Sequence, residues 1–344
     1  MRLMSLENSG RPVPTTTVPL AAKLTPSFDV EKLQADLRSV SRHQWRRQRY
    51  FDDDGSVIEA EFDWRCLPLR SISGNPAGTD PGGPGLFDYQ DTAWLAEAPY
   101  FKEVLASIPA ELRSVRLLAL GPGASSPSKS HPMRTSGDHN DTKYGPAWGT
   151  ARLHIPVTTC AGARLFLENT LHQWQPGEFW FGDFSRMHRI ENTGNARRVH
   201  MVIDALVCAE LLDLFPASCL AGLNPDDVLI NKKRVPADRD LHDYRVEFDI
   251  PLSFTSWEER DGEFLLPQEL ADASIDLQDG TLVLSVNDKP AMSLIHVGEN
   301  EFRFAGWTDE RTIEIVHTPL GIRVVLRTRV GSAIKKLDVA GRSL

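Results

Sequence analysis

Apolar residues recur at every second position in two separate stretches of this chain, and that period constrains the fold more than any other feature. In the first stretch the runs Ala151–Val157, Arg164–Glu168, Glu178–Phe181 and Arg198–Leu206 are divided by the turn formers Pro176-Gly177 and Asn192-Thr193-Gly194. In the second, Ile275 and Leu277 lead through Asp279-Gly280 to Leu282, Leu284 and Val286. The pairs Phe302/Phe304 and Ile313/Ile315, then Ile322, Val324 and Leu326, continue the alternation. Successive strand side chains point to opposite faces, so a period of two buries one face and leaves the other polar. Asp-Gly between alternating apolar pairs is the strongest short-range hairpin signal. The chain is therefore expected to be mainly β.

Helical spacing appears only at the margins. Phe28, Val30, Leu33, Leu37 and Val40 predict a first helix with Ser27 as its N-cap, Thr92–Ser107 predicts a second, and Cys208–Phe215 a short third. Residues 1–25 have no period and read as a flexible arm. The stretch 74–85 is too rich in Gly and Pro for helix or central strand, and 121–138 reads either as a long loop of the kind that covers active sites or as plain disorder. Asn224–Asp243 is polar and reads as a linker. The expected organisation is an arm over 1–25, a main β domain over 26–245 and a small antiparallel β domain over 246–344.

Composition removes whole classes of function. The chain has 344 residues, with Lys+Arg 38 against Asp+Glu 47 and a net charge of −9, so no broad phosphate-binding surface is expected and nucleic acid is not an expected partner. No apolar run approaches the roughly 18 residues a membrane span needs, and the first residues lack the apolar core of a secretory signal. A cytoplasmic protein with no membrane partner is the expectation. The four cysteines, 66, 160, 208 and 219, form no C-x-x-C pair and read as reduced, packed thiols.

The chemistry concentrates in a few polar positions. His139-Asn140-Asp141 places an imidazole and a carboxylate on one face of an extended segment, where they could share a metal ion. A second histidine, His188, follows a strand and a turn, and Arg198 lies one hairpin beyond it. Two histidines and one carboxylate leave half of an octahedron open, the arrangement of non-haem Fe(II) oxygenases. A guanidinium near such a centre matches a carboxylate bidentately, as the far end of 2-oxoglutarate requires. Arg152 and His154 share one strand face while Leu153 and Ile155 take the other. Arg198, His200 and Asp204 likewise oppose Val199, Met201 and Ile203.

The segments GDHND, ARLHIPV, WQPGEFWFGDFSRMHRIEN and RRVHMVID together resemble the aspartyl/asparaginyl β-hydroxylase family, which includes proline cis-4-hydroxylase-like enzymes. The resemblance implies a double-stranded β-helix, or jelly roll, of the cupin kind with flanking helices. It places iron-binding residues at His139, Asp141 and His188, and a 2-oxoglutarate-binding arginine at Arg198. Arg152 and His154 match a pair near cosubstrate and substrate. The implied cofactors are Fe(II), 2-oxoglutarate as cosubstrate, and O2. The implied activity is hydroxylation of an unactivated C–H of an amino acid, free, carrier-bound or peptidyl, with Arg152 facing its carboxylate; a homodimer is also entertained.

Each position has a structural alternative. His139 with Asp141 could be an exposed turn pair, His188 a packed core histidine, and Arg198 a salt-bridge partner, with Arg197 as the rival register. Arg152 and His154 could be purely structural. Desaturation or cyclisation by the same oxidising chemistry stays open. So do a non-catalytic cupin-like metal-binding protein and a Zn- or Mn-dependent cupin isomerase or hydrolase.

Overall fold

A computed structural model describes residues 16–51, 57–80, 82–125, 139–237 and 239–344. Most of the arm, and residues 126–138 of the expected covering loop, lie outside the described residues. Two antiparallel sheets make up most of the first part of the fold, beside a two-stranded ribbon of Arg49–Phe51 and Val57–Glu59. The larger runs in the order Ala21–Ser27, Glu178–Gly182, Thr150–Thr158, Arg198–Leu206, Leu112–Leu120, Trp64–Ile72 and Arg46–Arg47, with Tyr89–Asp91 also paired to Trp64–Ile72. The smaller consists of Thr170–His172, Ala163–Leu167 and His188–Asn192. From Thr150 onward the chain passes repeatedly between the two sheets, which makes this a double-stranded β-helix, the jelly roll expected from the sequence.

Alternation gives the larger sheet two different faces. Leu153, Ile155, Val199, Met201 and Ile203 join Leu33, Val40, Phe101 and Val104 in one apolar core, so the outward face packs against the helices Val30–Val40 and Pro99–Ala106. The inward face carries Arg152, His154, Arg198, His200 and Asp204. The first helix is capped by Asp29 rather than Ser27, because the Asp29 carboxylate accepts from the backbone N–H of Glu31 at 2.9 Å and Lys32 at 3.1 Å. The expected second helix is divided: a 3-10 turn over Ala93–Glu97 stops before Pro99, which starts the α-helix where its missing N–H costs nothing. Asp36 of the first helix then accepts from Phe101 N at 2.8 Å, joining the two helices through an otherwise orphaned donor.

Two segments differ from the sequence expectation. Ala21–Ser27, read as part of the arm, is an edge strand on Glu178–Gly182; Pro26 is tolerated there because an edge leaves one side of the ladder unpaired. Asn224–Asp243, read as a linker, is strapped down: Leu229 N donates to Pro146 O at 2.9 Å, Asn231 N to Val207 O at 2.9 Å, and Lys232 N to Asp309 Oδ2 at 2.7 Å. Its polar composition hides this because the bonds come from backbone and from one buried Asn.

The remaining chain forms an eight-stranded antiparallel barrel running from Val246–Pro251 to Ala333–Ser343, and these two strands pair to close it. Phe248, Ile250, Phe302, Phe304, Ile313, Ile315, Val324 and Leu326 fill its interior. Closure removes the edge strands that an open meander would expose. No helix among the described residues is long and apolar enough to cross a membrane. Phe304→Ala, at a fully buried position, should cost about 3–5 kcal/mol in a denaturant titration, whereas Leu320→Ser, at a fully exposed turn, should stay within about 0.5 kcal/mol.

Candidate active site

The site forms on the inward face of the larger sheet and at the near end of the smaller one. His139 N donates to His188 O at 2.9 Å and His188 N to His139 O at 2.7 Å, so the two residues are one hydrogen-bonded antiparallel rung. Residues opposed in this way project to the same side, and the two rings lie 4.2 Å apart. Asp141, two residues after His139, is fixed by its N–H to Phe184 O at 2.9 Å. One ligand atom from each of His139, Asp141 and His188 lies within 4.8 Å of the others. His188 is buried, and its Nδ1 faces Arg186 O at 2.9 Å; donation there leaves Nε2 with its lone pair for a metal. Burial, reinforced by His139, holds the His188 ring down at about 3, so it is neutral and competent as a ligand.

Arg152 sits between two carboxylates. Its guanidinium pairs with Asp141 on one side, and with Asp204 through Nε at 2.7 Å and Nη2 at 3.2 Å on the other. Asp204 also accepts from Arg116 Nη2 at 3.1 Å. Burial works against the Arg152 charge, but Asp204 and Asp141 outweigh it and raise its pKa. The face of the guanidinium rests on Tyr144, 4.5 Å from the ring centre. The Asp141 oxygen that Arg152 holds is thereby oriented, leaving the other oxygen on the His139 side.

Away from the ligands, Phe184 connects the metal end to a second group. Its ring stacks on His154 at 4.9 Å and meets His188 edge-on at 4.8 Å. Gly182 makes this packing feasible, since a Cβ there would lie 2.7 Å from the Phe184 ring. His200 Nδ1 accepts from Arg198 Nη2 at 2.9 Å and lies 3.4 Å from His154 Nδ1. Burial, then the Arg198 charge, keeps both rings far below the usual histidine range and hence neutral. Arg198 is itself buried, and among the described residues no carboxylate pairs with it; burial alone drives its pKa down to about 9. Arg197, the rival register, points outward to Asp63 at 3.1 Å. His154 Nε2 and Trp174 Nε1 are buried without a partner in the same region. Asp204, Arg116 and Tyr144 were not singled out by motif; only the alternation along Arg198–Leu206 pointed Asp204 inward.

The family model for aspartyl/asparaginyl β-hydroxylase matches residues 27–207, just over half of the chain. The chain belongs to the aspartyl/asparaginyl β-hydroxylase family. It is accordingly a non-haem iron, 2-oxoglutarate-dependent oxygenase, and its residues fit both groups: two imidazoles and a carboxylate suit Fe(II) with open positions, and a buried guanidinium that no carboxylate pairs with among the described residues suits a dicarboxylate. Solved structures with some likeness include a 2OG-Fe(II) oxygenase family oxidoreductase from Burkholderia pseudomallei, at 11% identity and a TM-score of 0.32, covering 52% of this chain and 80% of that one. The α-ketoglutarate-dependent epimerase SnoN from nogalamycin biosynthesis shows 10% identity and a TM-score of 0.32 over 54% and 77%. The non-haem monooxygenase ThoJ in its nickel complex shows 13% and 0.33 over 56% and 75%. Scores this low carry no argument about the chain. Among curated proteins no match was found.

Anaerobic titration with Fe(II) provides the direct check on the ligand set. His188→Ala should weaken binding by more than about 100-fold, while Asp204→Asn, which loosens Arg152 and only through it Asp141, should cost about 10–100-fold.

Proposed function

We propose that the chain hydroxylates an unactivated C–H bond of an amino acid or amino-acid-derived substrate, free, carrier-bound or peptidyl. In the same turnover 2-oxoglutarate and O2 give succinate and CO2, the second oxygen atom entering the product as hydroxyl. The observation that carries this reading is Arg198, a buried guanidinium without a carboxylate of its own, placed on the sheet face that also bears His154 and His200, with Phe184 leading on to the ligand cluster. Iron held by His139, Asp141 and His188 supplies the oxidising chemistry when it is bound with 2-oxoglutarate and O2.

The chain's own residues then do the positioning. Arg198 is suited to clamp the far carboxylate of 2-oxoglutarate, and the unpartnered His154 Nε2 and Trp174 Nε1 offer polar atoms along the way. Arg152, expected to face the substrate carboxylate, is already engaged by Asp141 and Asp204 and is better suited to holding the ligand carboxylate. For the substrate, Arg116 is the stronger candidate. It lies across from Val202, in the cross-strand row that includes His154, its Nε is buried without a partner, and the apolar cluster of Cys66, Leu118 and Val202 adjoins it. Inside the roll the guanidinia of Arg116, Arg152 and Arg198 outnumber the carboxylates of Asp141 and Asp204. A divalent metal and a dianionic cosubstrate offset each other, so an excess positive charge remains and favours a substrate with a carboxylate.

Succinate release coupled to O2 uptake, scored over amino acids, short peptides, aminoacyl carrier thioesters and carboxylate-blocked amides, tests the reading. Turnover is expected with members that keep a free carboxylate, whether α, side-chain or C-terminal, and lost where none remains; no succinate with any member of the panel would overturn it. Arg198→Met should raise the half-saturating 2-oxoglutarate concentration by about 100–1000-fold and abolish thermal stabilisation by 2-oxoglutarate under anaerobic conditions.

A further inference from the structure

We infer that the C-terminal barrel is a working part of the active site, because its turn at residues 305–310 holds the segment that carries Asp141 and supports Arg152. The inference rests on the iron reading above only in taking Asp141 as a ligand. The family match ends at residue 207, so nothing in the family assignment gives the barrel this role.

The segment 141–149 has little regular structure of its own beyond a 3-10 turn over Pro146–Trp148. What fixes it comes largely from the barrel. Lys143 Nζ meets Glu310 Oε1 at 2.8 Å, and both side chains are buried. Glu310 Oε2 accepts from Trp307 Nε1 at 2.7 Å, and the Trp307 ring meets Tyr144 edge-on at 6.5 Å. Tyr144 in turn underlies Arg152, which holds Asp141. Thr308 Oγ1 donates to Trp148 O at 2.7 Å, and Gly331 N donates to Ala147 O at 2.7 Å. Asp309 N donates to Asn231 Oδ1 at 2.9 Å, while Asn231 Nδ2 donates to Gly149 O at 2.8 Å. Arg113 completes the joint: it lies over Trp307 at 4.8 Å, donates from Nε to Gly306 O at 3.1 Å, and reaches Thr150 Oγ1 at 3.1 Å.

Two details show that this joint does more than cover apolar surface. Lys143 has φ +59°, a left-handed conformation that a lysine adopts only when its surroundings impose it, and its side chain ends on Glu310. Glu310 is buried yet held in its charged form by Arg311 and Lys143, so the link between the domains is an ion pair taken out of water. A pair of this kind needs both members: removing one leaves a buried charge uncompensated, whereas neutralising both does not. Lys143 and Glu310 are therefore positioning residues for Asp141, and Trp307 is one for Arg152 through Tyr144.

The test uses the full-length chain and two readouts: Fe(II) affinity by anaerobic titration, and amide hydrogen exchange of residues 141–149 in the metal-free protein. Glu310→Gln and Trp307→Leu should each weaken Fe(II) binding by about 10–100-fold and speed exchange in the segment about tenfold or more. The double variant Lys143→Met/Glu310→Gln should recover much of the unfolding midpoint lost by Glu310→Gln alone, while Fe(II) affinity stays low because the tether itself is gone. Phe248→Leu, a barrel-core substitution away from the joint, should lower the unfolding midpoint without moving Fe(II) affinity. Wild-type affinity in folded Glu310→Gln and Trp307→Leu overturns the inference, as does a loss of affinity in Phe248→Leu equal to theirs. A wild-type chain that binds no Fe(II) overturns the functional reading instead, and exchange in the segment then decides the inference by itself.

Discussion

A guanidinium shared between two carboxylates lies at the centre of this fold's chemistry. Arg152 takes Asp141 with one edge and Asp204 with the other while Tyr144 covers its face. In a buried place such a charge is costly unless its neighbours offset it. Asp204 anchors the arrangement in the middle of the larger sheet, with Arg116 also on it, so the orientation of the Asp141 carboxylate depends on a side chain of the Arg198–Leu206 strand, which carries none of His139, Asp141 and His188. The two histidines need no comparable support. They form a single backbone rung, so the hydrogen bonds that pair the strand ends also bring the imidazoles together.

The same sheet separates two kinds of environment within a few residues. Leu153 and Ile155 face an apolar core, and Arg152 and His154, their immediate neighbours, face an interior of charged and aromatic side chains beside the apolar Cys66, Leu118 and Val202. Burial there acts in opposite senses on different groups. It keeps His154, His188 and His200 neutral, and it weighs on both Arg152 and Arg198; Asp204 and Asp141 offset it at Arg152, whereas among the described residues Arg198 meets a neutral imidazole and no carboxylate.

Much of this was legible in the residue pattern. The period of two along 151–206 and 275–326 marks the strands, and it sets Arg152 and His154, and likewise Arg198 and Asp204, against their apolar neighbours. The motif around His139 and His188 pointed to the residues that the fold brings together, because metal chemistry demands particular residue types at short spacing. What stayed hidden depends on partners far away in the chain. Pro26 in a Pro- and Thr-rich region gave no sign of a strand, since an edge strand takes its bonds from a neighbour more than a hundred residues on. Asn224–Asp243 looked like a linker because a strap held by backbone bonds leaves no apolar signature. Arg116 and Tyr144 belong to no motif; their importance comes from Asp204 and Arg152, and pair relations of that kind do not show in one sequence. The barrel's antiparallel pattern was clear, but the turn by which it reaches the ligand segment was not.

On the reading that Arg198 takes the far carboxylate of 2-oxoglutarate, this one buried charge links cosubstrate to the durability of the fold. A dicarboxylate that neutralised the guanidinium would bind the native state and find no comparable site on the unfolded one, so resistance to unfolding would rise with the logarithm of its concentration once the site began to fill.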